Sequence, residues 1–138
     1  MAIEMVNVNL VAVVIGAIAS MALGMLWYGP LFGKKWMELT GKKMSDADKN
    51  KGNMSMTYLV AFVGSLVAAY VLGAFIKYAG AAGAVEGAMV GIMAWLGFVA
   101  TVSLGIVLWD QKPVSLYALV NGYNIVNYAI VGAILGAM

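Results

Sequence analysis

The sequence contains no cysteine and no histidine. Disulfides, Cys/His zinc sites, Cys-ligated clusters, His-ligated haem and histidine acid–base chemistry are thereby excluded. Arginine is missing too, so no bidentate clamp for phosphate or carboxylate exists. Charge of either sign is scarce: 10% of the 138 residues are charged and 64% are hydrophobic. A soluble globular domain carries about 25% and about 45–50% of these classes. So few charges cannot coat a soluble fold, and a mean hydropathy of +0.94 points to a bilayer as solvent. The length is that of one domain, 1–138.

The gaps between charges mark the spans. No charged residue lies between Glu4 and Lys34, Lys51 and Lys77, Glu86 and Asp110, or from Pro113 to Met138. Each gap exceeds the roughly 18 apolar residues of a transmembrane helix. Trimming at polar and turn residues predicts helices at about 8–28, 56–76, 85–109 and 114–135. Barrel strands would alternate polar and apolar residues, and these segments do not. The expected fold is an all-α integral membrane protein, a four-helix bundle forming a single membrane domain. Helix one is expected to remain in the protein rather than be cleaved as a signal peptide. No basic residues precede it, and its apolar run continues to Trp27.

Lysines orient the bundle. The segment 29–55 carries Lys34, Lys35, Lys42, Lys43, Lys49 and Lys51, and the turn before helix four adds Lys112. The opposite end has Lys77 alone. Lysine excess marks the cytoplasmic side, so both termini are expected outside. Trp27, Tyr28, Trp36 and Trp109 then fall at the inner interface as aromatic belt residues, with Tyr78 near the outer one. Glu4, Lys77 and Glu86 map to the outer surface. They read either as an ion pair or entrance ring, or as charges that solubilise helix ends.

The first loop has its own pattern. Pro30 can start a helix and Gly41 can end it. Phe32, Trp36 and Leu39 share one face, with Lys34, Lys35, Glu38 and Lys42 off it. The pattern predicts a short interfacial helix at about 31–40, its aromatic side in the headgroups and Lys34, Lys35, Lys42 and Lys43 toward anionic lipid. Ser45 and Asp48 fit a capping box. The Gly-Lys-Lys runs at 33–35 and 41–43 lack the upstream glycine spacing of a phosphate loop.

Helix packing in lipid uses small residues and hydrogen bonds. Ala12, Gly16, Ser20 and Gly24 recur at spacing four, as do Ala61, Ser65, Ala69 and Gly73. Helix three carries Gly83, Gly87 and Gly91, then Gly97, Thr101 and Gly105; helix four ends with Gly132 and Gly136. These stripes read either as intrachain packing or as an oligomer seam. Helix four also carries Tyr117, Asn121, Asn124 and Tyr128 on one face, with Asn127 at its edge. That face is either a polar pathway or interhelical glue, with Ser20, Ser65, Thr101 and Ser103 as available partners. Trp95, mid-helix, needs a partner for its N–H and is expected to face the bundle. Leu26-Trp27 with Pro30, and Leu108-Trp109 with Pro113, form a faint internal repeat. No ionisable residue falls mid-span, where pumps and proton-coupled transporters usually carry one.

Three motifs are distinctive in combination. They are Trp27-Tyr28-Gly29-Pro30-Leu31-Phe32-Gly33-Lys34-Lys35-Trp36, Ala94-Trp95-Leu96-Gly97-Phe98 and Asn121-Gly122-Tyr123. In this order they resemble a family of small bacterial membrane proteins classed only as a domain of unknown function. The resemblance covers nearly the whole chain. It implies a four-helix protein of the bacterial inner membrane and implies no activity. The small multidrug exporters, a different four-helix class, carry an essential carboxylate within helix one; here Glu4 lies outside that span.

Two functions remain. One is a small homo-oligomeric channel or carrier for an uncharged or weakly charged solute. The other is a non-catalytic accessory or structural protein that binds lipid or a protein partner through the Lys-rich loop. An enzyme is not expected, since no nucleophile–base pair or metal cluster is visible. Neither cofactor, metal nor nucleic acid is expected as a partner; membrane lipid is.

Overall fold

The computed structural model describes residues 6–41 and 54–138. Among these residues it is all-helical, without strands. The first long helix, α1, spans Leu10–Leu31, its last turn (Trp27–Leu31) being π-helical. A short α2 follows at Gly33–Thr40. Helix α3 is Met54–Ala79, α4 is Gly83–Leu108 and α5 is Val114–Ala137. All but α2 are long and apolar enough to cross a membrane. Each overlaps one predicted span, with ends shifted by a few residues. Lys42, Lys43 and the Ser45–Asp48 pattern lie outside the described residues, as does Glu4.

Asn9 starts α1: its Oδ1 accepts the N–H groups of Val11 and Ala12 at 3.1 and 3.2 Å, supplying partners that helix starts lack. Its Nδ2 donates to the Met138 carbonyl at 3.4 Å, so the start of α1 meets the end of α5. Pro30 does not start α2 as expected. It sits within the π turn, where Phe32 N–H bonds Trp27 O at 2.8 Å, five residues back. The bend lies at Gly29, whose φ −107° and ψ −106° leave helical geometry, as the residue before a proline tends to do, and α2 begins only at Gly33. Gly33 passes so close to the Tyr28 carbonyl that a side chain would not fit. Gly41 ends α2 with φ +74°, a left-handed conformation that glycine adopts freely. Pro113 instead precedes α5 as its N-cap, so the two prolines of the faint repeat play different parts.

The strongest packing joins α4 to α5. Gly83, Gly87 and Gly91 meet Gly136, Gly132 and the Tyr128 backbone, in antiparallel register. A Cβ at Gly87 or Gly91 would collide with the carbonyl of Gly132 or Tyr128. Those stripes are therefore intrachain seams, which let two backbones approach to contact. On another side of α5, Tyr123, Asn127 and Val131 meet Gly24, Ser20 and Gly16 of α1. The buried core gathers Val13, Ala69, Leu72, Ile76, Ala94 and Val131, from mid-helix toward the end where α1 starts and α5 ends. By contrast Gly97 and Thr101 are exposed, and among the described residues nothing lies within 4 Å of a Cβ built at Gly97.

Candidate functional site

The polar face predicted on α5 divides in two. Its first part is bonded to α4. Asn121, only 4% exposed, accepts the Trp95 indole N–H on Oδ1 at 3.1 Å and donates Nδ2 to the Tyr117 carbonyl at 3.2 Å. The Tyr117 hydroxyl donates to the Ala100 carbonyl at 2.9 Å. Ala100 ends a π-helical stretch of α4, Trp95–Ala100, that opens with Trp95 itself. The other π turn opens with Trp27, whose indole N–H donates to Leu119 O at 3.1 Å. Both π segments thus begin with a tryptophan bonded to α5, from opposite sides. A π turn re-aims side chains relative to a regular helix, and such turns recur at functional sites.

The second part borders a cleft. Asn124, Asn127 and Tyr128 of α5 line an inner chamber of about 250 Å³ together with Ser20 of α1 and Ser65, Ala69 and Leu72 of α3. Ser20 Oγ donates to Asn127 Oδ1 at 2.7 Å, and the Tyr123 hydroxyl donates to the Ser20 carbonyl at 3.1 Å. Ser65 donates to its own helix, to Ala61 O at 3.0 Å. Thr101 and Ser103 likewise bond carbonyls of α4, Gly97 and Val99, so neither bridges helices. Among the described residues nothing hydrogen-bonds the Asn124 amide, and the chamber lies in front of it.

A second, larger cavity of about 760 Å³ adjoins the first; Ser20, Ala61 and Ser65 line both. Its walls include Tyr28, Trp36, Tyr58 and Tyr123. These rings form a mouth at the end of the bundle that carries α2. Tyr28 packs edge-on to Trp36 with centroids 5.9 Å apart, and against Tyr123 at 5.5 Å. Phe32 packs on Trp27 at 4.7 Å. The bend at Gly29 is what turns Trp36 back toward α1, while Lys34 and Lys35 stay exposed and Lys35 pairs with Glu38 at 3.9 Å. The first half of α3 forms one wall of the cleft, and residues 55–61 are exposed. At its far end the chamber closes on Ala69, Leu72 and Val131 of the core. The cleft is half-open along the exposed Ala61, Gly64 and Ala68 of α3, and its inner wall is the core.

No group of three or more Asp and Glu that could hold a metal exists among the described residues. Glu86 does not pair with Lys77; its Oε2 accepts the Ala82 N–H at 2.7 Å, capping the start of α4. Ser20, one of the partners the sequence offers for this face, does bond Asn127, whereas Tyr123 stands out in sequence only within a motif and not as part of the polar face. Tyr123, Asn127 and Val131 at spacing four, facing Gly24, Ser20 and Gly16, are the pattern that pairs them. The tryptophan bond to Leu119 O leaves no sequence trace, because its acceptor is backbone.

The family described as Protein of unknown function (DUF1761) matches residues 11–136, and the chain belongs to it. No curated protein and no solved structure matches the chain.

Proposed function

We propose that this member of the family is a multi-pass membrane protein that carries a small uncharged solute through the cleft between α1, α3 and α5. Four long apolar helices support the membrane setting, and so do Val85, Met93, Phe98 and Val102, all at least 67% exposed on the flank of α4. Hydrocarbon covers such a surface at no cost, whereas water does not. On this reading it sits in the bacterial inner membrane, as the family resemblance implies, and the lysine asymmetry supports both termini outside with the aromatic mouth facing the cytoplasm. The exposed Gly97 and Thr101 support association of copies into a homo-oligomer.

The observation that carries the reading is Asn124, without a hydrogen-bond partner among the described residues, on the wall of the cleft. A polar group facing hydrocarbon without a partner costs several kcal/mol, so its place is explained by a guest that bonds to it. The lining has no Asp, Glu or Lys. An ion would have to enter without a counter-charge, so a neutral solute fits and an ion does not. Passage requires the core at Leu72 and Val131 to part, and α3, exposed along its first half, is the helix placed to move. On this reading the protein is a carrier rather than an open pore, and it is not an enzyme.

Flux into proteoliposomes tests it, with urea, glycerol and uracil as neutral solutes and orotate as an anion. Uptake of a neutral solute above empty liposomes, lost in Asn124→Leu, is expected. Equal uptake with and without protein for all three neutral solutes would refute carriage.

A further inference from the structure

The same cleft, read for its shape and hydrogen-bonding groups, specifies more than neutrality. We infer that it binds a planar, single-ring neutral compound with a cyclic amide edge, in which a ring N–H and a carbonyl lie side by side. The inference deepens the carriage reading by naming the ligand class, but binding is measured apart from flux.

Three features converge. The first is size. A cavity of about 150 Å³ accepts benzene, so an inner chamber of about 250 Å³ admits one ring with small substituents. The second is hydrogen bonding. Asn124 presents an acceptor and a donor next to each other, both unused among the described residues. The matching partner is a group that donates and accepts on one edge, as in the bidentate pairing of Asn with an adenine edge. Asn127 Oδ1 already accepts from Ser20, leaving its Nδ2 as a further donor, and Tyr128 is among the residues lining the same chamber. The third is the approach. Tyr28, Trp36, Tyr58 and Tyr123 line the outer cavity, so a flat ring meets aromatic surface before it reaches the amides. Stacking on such rings is worth about 0.5–1.5 kcal/mol per pair beyond area burial and favours planar guests.

Equilibrium dialysis of labelled uracil against the full-length protein in lipid nanodiscs tests the assignment. Saturable binding is expected, uncompeted by excess orotate, which bears a carboxylate. Excess 1,3-dimethyluracil is also expected not to compete, because methylation removes both ring N–H donors. Asn124→Leu is expected to weaken binding at least tenfold and Tyr128→Phe severalfold, each with unchanged helical content. If uracil fails to bind, or 1,3-dimethyluracil competes as well as uracil itself, or binding persists in Asn124→Leu, the ligand class is wrong. Uracil binding without flux would uphold the ligand class and sink carriage. Flux of urea or glycerol without uracil binding would do the reverse.

Discussion

The indole N–H of Trp95 reaches across from α4 to the Oδ1 of Asn121, which is buried in α5 and bonded through its other amide atom to the Tyr117 carbonyl. Neither group has an alternative partner if the other is removed. Trp95→Phe leaves the Asn121 oxygen unpaired, and an unsatisfied buried acceptor costs about 1–3 kcal/mol. Interhelical hydrogen bonds in membranes reach about 1.7 kcal/mol at most by double-mutant cycle. Both Trp95→Phe and Asn121→Leu are therefore expected to destabilise by about 1–2 kcal/mol in denaturation from detergent micelles. The double variant should lose less than the sum. Full additivity would show that the two residues do not act as a pair.

Asn124, three residues along, is expected to behave in the opposite way. Its amide has no hydrogen-bond partner among the described residues, so Asn124→Leu breaks no bond described within the bundle. Stability should change by no more than about 0.5 kcal/mol, as for sites outside the packed network. The same denaturation assay decides it. A loss as large as that of Asn121→Leu would mark Asn124 as structural glue.

The glycine seam between α4 and α5 separates positions that look alike in sequence. Gly87→Ala drives a methyl group into the Gly132 backbone, and Gly91→Ala into that of Tyr128. Backbone cannot step aside as a side chain can, so each is expected to cost about 1–3 kcal/mol or more. Gly97→Ala meets nothing within 4 Å and should be neutral or stabilising, by up to about 1 kcal/mol from helix propensity. Thermal denaturation of the three variants orders them. Equal losses would mean that the seam is not where the helices touch.

The lysine count at the α2 end carries the expected topology. A periplasm-active reporter fused after Met138 is expected to be active, and one active only in the cytoplasm is expected to be silent. The converse pattern would reverse the orientation and place the aromatic mouth outside.

Much of the architecture follows from composition and periodicity alone. Long uncharged runs have one stable form in an apolar solvent, because every backbone N–H and C=O must bond within its own helix. The positions of the helices, the end of α2 at Gly41 and the small stripes are local properties, set by residues within a turn or two of one another. The division of labour along α5 is not local. Tyr117, Asn121, Asn124 and Tyr128 share a face by spacing, and spacing cannot say which neighbour each meets. The glycine seam draws α4 so close that Trp95 reaches Asn121, while on the α3 side Asn124 faces an open chamber. The bend at Gly29, too, is foreshadowed by the proline that follows it, but that it turns Trp36 onto Tyr28 at the mouth depends on how α2 docks. Helix formation is decided by each segment against its solvent. Whether a polar side chain becomes a bond or a binding group is decided by the distance to helices remote in the chain, and only the tertiary structure sets that distance.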